Sequence, residues 1–418
     1  MRILVLAQIL PYPPDSGPKV KTYGSVRALA AAHDVTVLAF SRADSDDEHA
    51  RQLAAQCGCT VHTVPLRRGR RRDLLAAGYA VLTGQSFILA RDRRRGMHRM
   101  VHRLLHDQPF DVIHVDQLNM AQYVPRRFGG QVIFDAHNAV WIITDRMAAH
   151  ERSAPRRIAL RLEARRIRRA ERQICEKADI VLTTTTEDQS ALHATGAKRF
   201  RGEIIPIGVA VPAEPPNRGA APMLLHIGTM FYPPNADAVR WFVAEVFGRI
   251  RAAVPDARFV VVGARPPADI AALHDPERGI EVRGYVPDIA PLLAEAAATV
   301  VPTRAGSGMR VKILEAMAMG LPVVSTTVGA EGIFAVPDTH LLIADDAPAF
   351  ADAAIRLLSD SALRARLRAQ AHALAAGRYD RHVTGAMLCS LYESLDRSVV
   401  MTPSRTVGEP VPHGALGG

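Results

Sequence analysis

Short apolar runs alternate with longer helical stretches along most of the chain. In the first half the runs are β-branched or aliphatic and are bounded by turn residues, as parallel strands buried on both faces require. They occupy 2–8, 35–40, 60–64, 111–115, 131–135 and 179–184, with a short run from Glu203. Helical patterns lie between them, so this half is predicted to form a doubly wound α/β domain.

The composition changes at Pro206. The stretch 206–222 contains too much proline and glycine for the interior of a helix or strand, and it predicts a linker. The alternation then resumes, with apolar runs that start at Met223, Ala257, Gly279, Ala298, Leu321 and His340. We therefore expect an N-terminal domain over 1–205 and a C-terminal domain over 223–379, both Rossmann-like, facing each other across a cleft.

Composition agrees with a globular protein of two domains. The chain has 418 residues, of which 48% are hydrophobic, and this length exceeds what one ordinary core fills. The apolar start of the chain runs directly into a proline-rich turn, so it indicates a buried first strand rather than a signal peptide. No apolar run approaches the ~18 residues that span a bilayer. We expect a cytoplasmic protein.

The four cysteines and the positive charge differ in what they indicate. Cys57 and Cys59 form a C-x-C without a second pair, so we expect structural, reduced thiols rather than a metal or redox site. The net charge is +10, and arginine clusters at 67–72, 91–99 and 152–172. Such clusters attract polyanions, including an anionic membrane face, but helices solvated by arginine are an equally good explanation.

The most specific segment lies between Gly284 and Gly332. A strand that ends at Thr303 leads into a loop with small residues at Gly306, Ser307 and Gly308. A helix is predicted to start at Met309 and to stop at Gly320. Glycines let the backbone approach a ligand closely, and the free N–H groups of a helix N-terminus suit a diphosphate.

Three charged residues follow this loop. Arg310 and Lys312 fall in the first turn of the predicted helix, where they add positive charge beside a diphosphate. Glu315 comes one turn later, where a carboxylate could accept both hydroxyls of a ribose. The alternative is a helix that packs its methionines and leucines in a core, with Glu315 merely solvated.

The segment resembles the donor-binding motif of the family 4 glycosyltransferases, in which Glu, seven residues and Glu precede Ala-Met-Ala-x-Gly-x-Pro-Val-Val. The second Glu matches Glu315, which the resemblance implies binds the ribose. The first position is Ser307, where most members use a Glu to contact the donor sugar. A subgroup with Gly-Ser-Gly-x-Arg-x-Lys-x-x-Glu matches 306–315 more closely, and this includes Met309 and Val311 among the donor-binding positions.

The resemblance extends to positions whose motifs are less specific. The family often places cations after the first strand of the second domain, but the stretch that opens with Gly228 and Thr229 has none before Asn235. We expect Arg310 and Lys312 to supply that charge. The resemblance also implies that the backbone at Tyr285 and Val286 holds the base, although both side chains could equally serve packing.

Two positions in the first half match catalytic positions of the family. Gly17 corresponds to its glycine-rich loop near the leaving phosphate, and His137 to a histidine that touches the donor sugar. A simple tight turn and a structural loop histidine are the alternatives. His114 and Asp116 stay open between structure and function. Asp44-Ser45-Asp46 spells D-x-D, but it is better interpreted as the start of a helix than as a metal site.

The resemblance implies the GT-B fold, with a last helix at about 380–398 that packs back on the N-terminal domain. The Pro- and Gly-rich 402–418 is predicted to be a disordered tail. The implied activity is metal-independent, cofactor-free, retaining hexosyl transfer from a nucleotide-diphosphate sugar to a glycan or lipid-linked acceptor, in bacterial polysaccharide or glycolipid synthesis. An anionic inner membrane face is a further expected partner.

Three alternatives differ from this interpretation. A nucleotide-sugar epimerase would share the fold, but its pattern of carboxylates and histidine is not evident. A catalytically silent scaffold would agree with the replacement at Ser307, although Gly308, Arg310, Lys312 and Glu315 are retained. A basic polyanion-binding protein would agree with the charge. Nucleic acid is not expected, because only 5% of residues are aromatic and none interleave with the arginine clusters.

Overall fold

The computed structural model describes residues 1–43, 45–198, 200–216, 221–306 and 308–400. Within these residues the strands form two sheets in which neighbouring strands run parallel. The strands of the first sheet are β1 (Arg2–Ala7), β2 (Asp34–Ser41), β3 (Thr60–Pro65), β4 (Val112–Asp116), β5 (Gln131–Ala136), β6 (Ile180–Thr183) and β7 (Arg201–Ile204). Their order across the sheet is β3-β2-β1-β4-β5-β6-β7.

Helices cover both faces of this sheet, which explains the continuous apolar runs. In β1, Ile3 and Val5 contribute to the core on one face, while Leu4 and Leu6 contribute to the core on the other. The helices of this half are α1 (Gly17–Ala30), α2 (Asp46–Cys57), α3 (Arg70–Thr83), α4 (Phe87–Asp92), α5 (Arg95–Asp107), α6 (Val140–His150), α7 (Ala154–Lys177) and α8 (Thr186–His193).

The second sheet repeats this arrangement with six strands. They are β8 (Ala221–Ile227), β9 (Arg258–Val262), β10 (Ile280–Gly284), β11 (Ala296–Val301), β12 (Val323–Ser325) and β13 (Leu342–Ile343). Their order is β10-β9-β8-β11-β12-β13. β8 includes the last two residues of the predicted linker 206–222. The predicted α/β class with two doubly wound parallel sheets is confirmed.

The helices of the second half are α9 (Pro233–Trp241), α10 (Phe247–Ala253), α11 (Ala268–Ala271), α12 (Ala290–Glu295), α13 (Val311–Ala318), α14 (Ala347–Ser359), α15 (Ser361–Leu374) and α16 (Arg381–Val400). A π-helical turn, 242–246, joins α9 to α10, and another, 375–379, ends α15. Each of these segments has one residue more than a turn of α-helix. The extra residue changes the direction of the helix that follows.

The chain crosses between the two halves at two adjacent places. The N–H of Val209 donates to the carbonyl of Tyr379, and the N–H of Arg381 donates back to Val209, both at 2.8 Å. Beyond this crossing, Leu388 and Leu391 of α16 join the same core as Ile3 of the first sheet. The last helix therefore packs on the first half of the chain. The predicted tail 402–418 lies outside the described residues.

Strand order decides where a ligand can enter. The order reverses between β1 and β4 in the first sheet, and between β8 and β11 in the second. Loops that leave the carboxyl ends of such strand pairs diverge to opposite faces and open a crevice. The loops after β1, β4, β8 and β11 are therefore the places where each half can hold a ligand.

Candidate active site

The glycine loop after β11 is held in a conformation that favours glycine. Gly306 has φ of 138° and Gly308 has φ of 79°, both in the left-handed half of conformational space. A Cβ atom at Gly308 would lie 1.8 Å from Oδ1 of Asn138, which belongs to the first half of the chain. Backbone conformation and this close approach both require glycine there. Ser307, between them, lies outside the described residues.

The helix after this loop starts later than predicted. It begins at Val311 rather than Met309, because Arg310 is the N-cap residue with extended backbone angles, φ −87° and ψ 95°. Met309 is buried and packs in the core of the second half together with Val311. The prediction that Arg310 lies in the first turn was therefore wrong, and the side chains of Met309 and Val311 pack against the core of the second half.

Arg310 folds back over the glycine loop. Its Nη1 donates to the carbonyl oxygen of Gly308 at 2.9 Å. A Cβ atom at Gly306 would lie 2.4 Å from Nη2, so the guanidinium group lies directly against the loop. Burial lowers the pKa of this side chain from its usual value. The positive charge therefore sits beside the loop itself, one position before the helix.

Lys312 lies beside polar groups of the loop after β8. Its Nζ donates to Oδ1 of Asn235 at 3.0 Å, and Nδ2 of Asn235 donates to the carbonyl of Thr229 at 3.1 Å. A Cβ atom at Gly228 would lie 3.0 Å from Nζ, so a larger residue there would crowd the ammonium group. Burial and the neighbouring Arg310 lower the pKa of Lys312 to about 7.

Glu315 lies one turn further along α13. Its side chain is exposed to a cavity rather than packed in the core. Protein atoms nevertheless surround that cavity closely enough that loss of hydration raises the pKa of Glu315 to about 7, against the opposing effect of Lys312. Two ionisable groups on one helix are therefore held near the point of charge change, and strongly perturbed groups of this kind cluster at functional sites.

The cavity has a volume of about 630 Å³ and lies between the two halves of the chain. Its walls in the second half include Lys312 and Glu315, together with apolar residues of α12 such as Leu293. Its opposite wall is formed by α1 and α16, with Arg27 and Arg381 among the lining residues. A volume of this size, apolar with a few polar groups, is typical of a small-molecule site.

The other predicted donor positions lie outside the walls of this cavity. Tyr285 is 67% exposed after β10, while Val286 packs against the core of the second half. Gly17 is the first residue of α1 rather than part of a turn before it. A Cβ atom at Gly17 would lie 3.3 Å from Cγ2 of Val311, so the start of α1 approaches the start of α13 across the cleft.

His137 follows β5 and is buried with a single carboxylate partner. Its Nε2 lies 2.8 Å from Oδ1 of Asp116, which also accepts a 2.8 Å hydrogen bond from Oγ1 of Thr22. Because a carboxylate only accepts, Nε2 carries the proton and the ring orientation is fixed. The second oxygen of Asp116 is buried and has no hydrogen-bond partner among the described residues. Asp116 therefore orients His137, while its own second oxygen stays unsatisfied.

A second ion network lies beside this pair. Lys21 donates to both oxygens of Asp135, at 2.6 and 2.5 Å, and all three atoms are buried. His114 contacts Asp135 at 3.5 Å and shares a 2.7 Å hydrogen bond with the hydroxyl of Tyr392 on α16. The adjacent Lys21 holds the pKa of Asp135 far below its usual range, against burial that raises it.

This network has the composition of a metal site, but its charges are already paired. His114, Asp116 and Asp135 each offer one ligand atom within 4.8 Å of the others. The ammonium group of Lys21, however, takes both oxygens of Asp135, so a cation there would meet a like charge. We interpret the three residues as part of the charge balance of the first half.

Several contacts join the glycine loop to the first half. Arg146 of α6 forms a bidentate ion pair with Glu331, with both distances at 2.9 Å, and donates to the carbonyl of Gly306 at 3.1 Å. A Cβ atom at Gly332 would lie 2.4 Å from Cγ2 of Thr185, which precedes α8. The loop is therefore held between the carboxyl edges of both sheets.

The segment that follows His137 is held in place by carboxylates of α7 and α8. Glu171 of α7 accepts the N–H groups of Val140 and Trp141 at 2.6 and 3.3 Å, and Asp188 of α8 accepts that of Ala139 at 2.9 Å. These are the free donors at the start of α6. Burial raises the pKa of Glu171 to about 8, against the opposing effect of the hydrogen bonds from Val140 and Trp141.

Sequence patterns did not identify four of these site residues. Asn138, Arg146, Asn235 and Glu331 act through partners 77 to 185 positions away along the chain. A local signal existed for Asn235, because Tyr-Pro-Pro-Asn follows a strand and opens a helix at the predicted donor edge.

Asp46 is in the first turn of α2, where its carboxylate accepts the N–H of Arg42 and of Ala43. Ser45 is the N-cap residue but makes no side-chain capping bond, and Asp44 lies outside the described residues. The cysteines are free thiols. Among the helices that the structure describes, none is long and apolar enough to cross a membrane.

Comparison with known families gives two matches. Residues 16–208 match a family model described as a glycosyl transferase 4-like domain, and residues 221–360 match one described as glycosyl transferases group 1. The boundary between the two matches falls between the two sheets. No curated protein matches the chain.

Solved structures share this architecture over nearly the whole chain. Anabaena HepE, solved in complex with UDP-glucose, has a TM-score of 0.66 at 14% identity, covering 94% of this chain and 100% of that chain. The sucrose-phosphate synthase of Thermosynechococcus elongatus has a TM-score of 0.66 at 18% identity, with 95% and 100% covered. TarM has a TM-score of 0.66 at 12% identity, with 94% and 98% covered.

Proposed function

The chain belongs to the GT-B superfamily of glycosyltransferases, and we propose that it transfers a hexose from a nucleoside diphosphate sugar to a glycan or lipid-linked acceptor. The predicted GT-B fold is confirmed. The observation that carries the proposal is the position of Lys312 and Glu315, side by side in the wall of a cavity that both halves enclose. Within the superfamily we assign the chain to family 4 and its Gly-Ser-Gly-x-Arg-x-Lys-x-x-Glu subgroup.

In this proposal the donor lies along the start of α13. Glu315 accepts the ribose hydroxyls, because it is the exposed carboxylate of the cavity wall on this helix. The free N–H groups of the helix and the charges of Lys312 and Arg310 neutralise the diphosphate. HepE has been solved with UDP-glucose, so a UDP-sugar is the first donor to test.

The sugar of the donor then points toward the first half, where His137 and the start of α1 lie. The close approach of Gly17 to Val311 leaves the backbone of α1 beside the helix that holds the diphosphate. With its proton on Nε2 bound to Asp116, His137 can offer Nδ1 as an acceptor to a sugar hydroxyl. His137 would thereby orient the donor sugar, while Asp116 holds His137.

We propose that transfer retains the anomeric configuration and proceeds without a metal ion. Retention by double displacement needs two free carboxylates about 5 Å apart at the sugar. The two carboxylates nearest His137 are both engaged within the protein, Asp116 by His137 and Thr22, and Asp135 by Lys21. A front-side reaction, in which the leaving diphosphate helps to deprotonate the acceptor, needs positioning and charge stabilisation from the protein. Helix α13, Lys312 and Arg310 meet that need.

The acceptor enters from the first half, whose carboxyl edge faces the donor across the cleft. We place the reaction in bacterial polysaccharide or glycolipid synthesis, in the cytoplasm or at the inner membrane face. Domain closure about the hydrogen-bonded crossing at Val209 and Arg381 would exclude water and limit hydrolysis of the donor.

The test is nucleotide binding by Glu315→Ala beside wild type. UDP, GDP and ADP and their sugars are titrated by calorimetry, and thermal stability is followed in parallel, because a ligand at ~100 times its dissociation constant adds roughly 2.7 kcal/mol of stability. Glu245→Ala, which removes an exposed carboxylate in the π-helical turn 242–246, is the matched control. We expect one nucleotide to bind wild type and the control, and to bind Glu315→Ala at least about tenfold more weakly.

Two results would contradict the proposal. Equal nucleotide affinity in Glu315→Ala would remove the donor from α13. Absence of binding by any nucleotide to folded wild type would favour the alternative that Ser307 suggests, a catalytically silent scaffold or basic polyanion-binding protein. Products formed from the bound donor and a panel of acceptors are identified by mass spectrometry, and the anomeric configuration is read by NMR.

A further inference from the structure

Helix α3 presents large apolar side chains to solvent. Leu74, Leu75, Val81 and Leu82 are 73, 74, 69 and 88% exposed. They fall at positions i, i+1, i+7 and i+8, which share one face of a helix. The opposite face is the buried one, where the small residues Ala76 and Ala80 pack beside Ala90 of α4. The larger apolar residues of this helix therefore face away from the protein.

This orientation indicates a binding surface. Single exposed apolar side chains are ordinary, but a contiguous stripe of four on one helix marks a surface that meets a partner or a membrane. The sequence pattern alone hides the stripe, because apolar residues lie on both faces of α3 and give it little amphipathic contrast. Burial of Ala76 and Ala80 shows which face the protein uses.

The charges next to the stripe select the partner. Arg70, Arg71 and Arg72 form the exposed first turn of α3, and the exposed Arg67 precedes them. Asp73 is the sole acidic residue between 65 and 84. An anionic bilayer offers both complements at once, lipid phosphates for the guanidinium groups and an acyl boundary for the leucines. We propose that α3 lies in the surface of an anionic membrane, with its Leu74–Leu82 stripe buried in it.

The position of α3 links this surface to the cleft. Its neighbour α4 ends at Asp92, which is buried and accepts hydrogen bonds from Gln8 at 2.8 Å and from Asn119 at 2.7 Å. Gln8 follows β1 at the carboxyl edge of the first sheet. Docking through α3 would therefore bring the acceptor side of the cleft to the membrane. This consequence rests on the proposed function, whereas membrane docking itself does not.

A second arginine-rich helix supplies the comparison. In α7, Ile158 and Leu162 are 59% and 47% exposed, and arginines surround them. That helix carries comparable charge but half as many exposed apolar side chains. Its Glu163 accepts hydrogen bonds from Ser86 and Ile88 at the start of α4. If charge alone caused attachment, changes in α7 and α3 would act alike. If the apolar stripe inserts, α3 would dominate.

The experiment measures partition of the full chain into vesicles. Vesicles of phosphatidylcholine with 30% phosphatidylglycerol are compared with pure phosphatidylcholine by co-sedimentation at low and high salt. The test variant is Leu74→Gln/Leu75→Gln/Val81→Gln/Leu82→Gln, and the matched control is Ile158→Gln/Leu162→Gln. We expect wild type and control to bind anionic vesicles, and the α3 variant to bind about tenfold or more weakly. Circular dichroism and nucleotide binding verify that each variant is folded.

A second measurement does not depend on the quadruple variant. In Leu82→Trp the new indole should shift its emission to the blue and become accessible to brominated acyl chains when anionic vesicles are added. No shift, or equal binding by wild type and the α3 variant, would overturn the proposal. So would a dimer of wild type in sedimentation equilibrium that the α3 variant abolishes, since a second copy would then cover the stripe. Vesicle binding that persists in Glu315→Ala separates this proposal from the proposed function.

Discussion

The carboxyl edges of the two sheets share one architecture but treat charge in opposite ways. At the first edge, the buried ammonium of Lys21 is fully engaged by Asp135, and Asp116 is bound by Thr22 and His137. At the second edge, Lys312 has an uncharged partner, Asn235, and Glu315 faces the cavity. Charge is paired within the protein at one edge and left for a ligand at the other.

The perturbed pKa values report the same difference. The pKa of Asp135 is held far below its usual range by Lys21, while those of Lys312 and Glu315 both move to about 7. A paired charge stays charged because its partner compensates for lost hydration, whereas a charge without such a partner moves toward its neutral form. The first edge is thus built for rigidity, and the second to gain stability when an anionic ligand arrives.

The largest effect is expected from breaking the ion pair of the first edge. Lys21→Met leaves Asp135 buried without its cation, so the free energy of unfolding should fall by about 3–5 kcal/mol. Lys19→Met is the control, because its ion pair with Asp15 keeps contact with solvent and is worth about 1 kcal/mol or less. Urea denaturation measures both. Equal losses in the two variants would show that the first edge does not depend on this pair.

The corresponding change at the second edge should leave stability intact and remove binding. Lys312→Met eliminates a desolvated charge, so stability should stay equal or rise. The affinity for the nucleoside diphosphate should fall about ten- to a hundredfold, because a charge-assisted hydrogen bond to phosphate is lost. Calorimetric titration checks this against the exposed Lys198→Met. Loss of stability without loss of affinity would reverse the contrast between the edges.

Substitutions of Asp116 test whether the first edge, where charges are paired within the protein, also contributes to catalysis. In Asp116→Ala the ring of His137 loses its orientation, and kcat should fall about tenfold while the donor KM changes little. Asp116→Asn keeps an acceptor oxygen for Nε2 and should recover part of the rate. Steady-state kinetics with the identified donor provide the measurement. A change confined to stability, with kcat per folded molecule unchanged, would make the role of Asp116 purely structural.

The ion pair between Arg146 and Glu331, which joins the two edges, should contribute less to donor binding and to stability. Arg146→Ala removes the ion pair with Glu331 and the bond to the Gly306 carbonyl, so the donor KM should rise about two- to fivefold. Stability should change by less than about 1 kcal/mol, since Arg146 is partly exposed. A double-mutant cycle with Glu331→Ala isolates the coupling. Additive effects of the two substitutions would show that the pair does not act as a unit.

A further expected effect is a pH dependence of stability. Because the folded-state pKa of Glu315 is raised to about 7, the folded protein holds its proton between about 4.5 and 7, where the unfolded chain releases it. This contribution to stability is complete below about 4.5 and disappears as the pH rises through 7. The difference in unfolding free energy between wild type and Glu315→Gln should therefore decline over that window. A flat difference would contradict the raised pKa.

Elements with a local cause were predictable from the sequence. The apolar runs matched the positions of β1 through β13, because a strand buried on both faces must be apolar along its length. The glycine loop was also identified, since glycines at 306 and 308 reflect a backbone conformation that other residues rarely adopt. The start of α13 was placed two residues early, because the backbone at Arg310 is set by the loop and not by helix propensity.

The sequence by itself determined the two parallel sheets, the motif around α13 and the residue types available for chemistry. The tertiary structure decided which of those residues meet. Asn235 with Lys312, Asp116 with His137 and Arg146 with Glu331 are pairs that no periodicity encodes, because strand order and packing of the two halves bring them together. Burial, which depends on the same packing, decided that Lys21 is paired and that Glu315 faces a cavity.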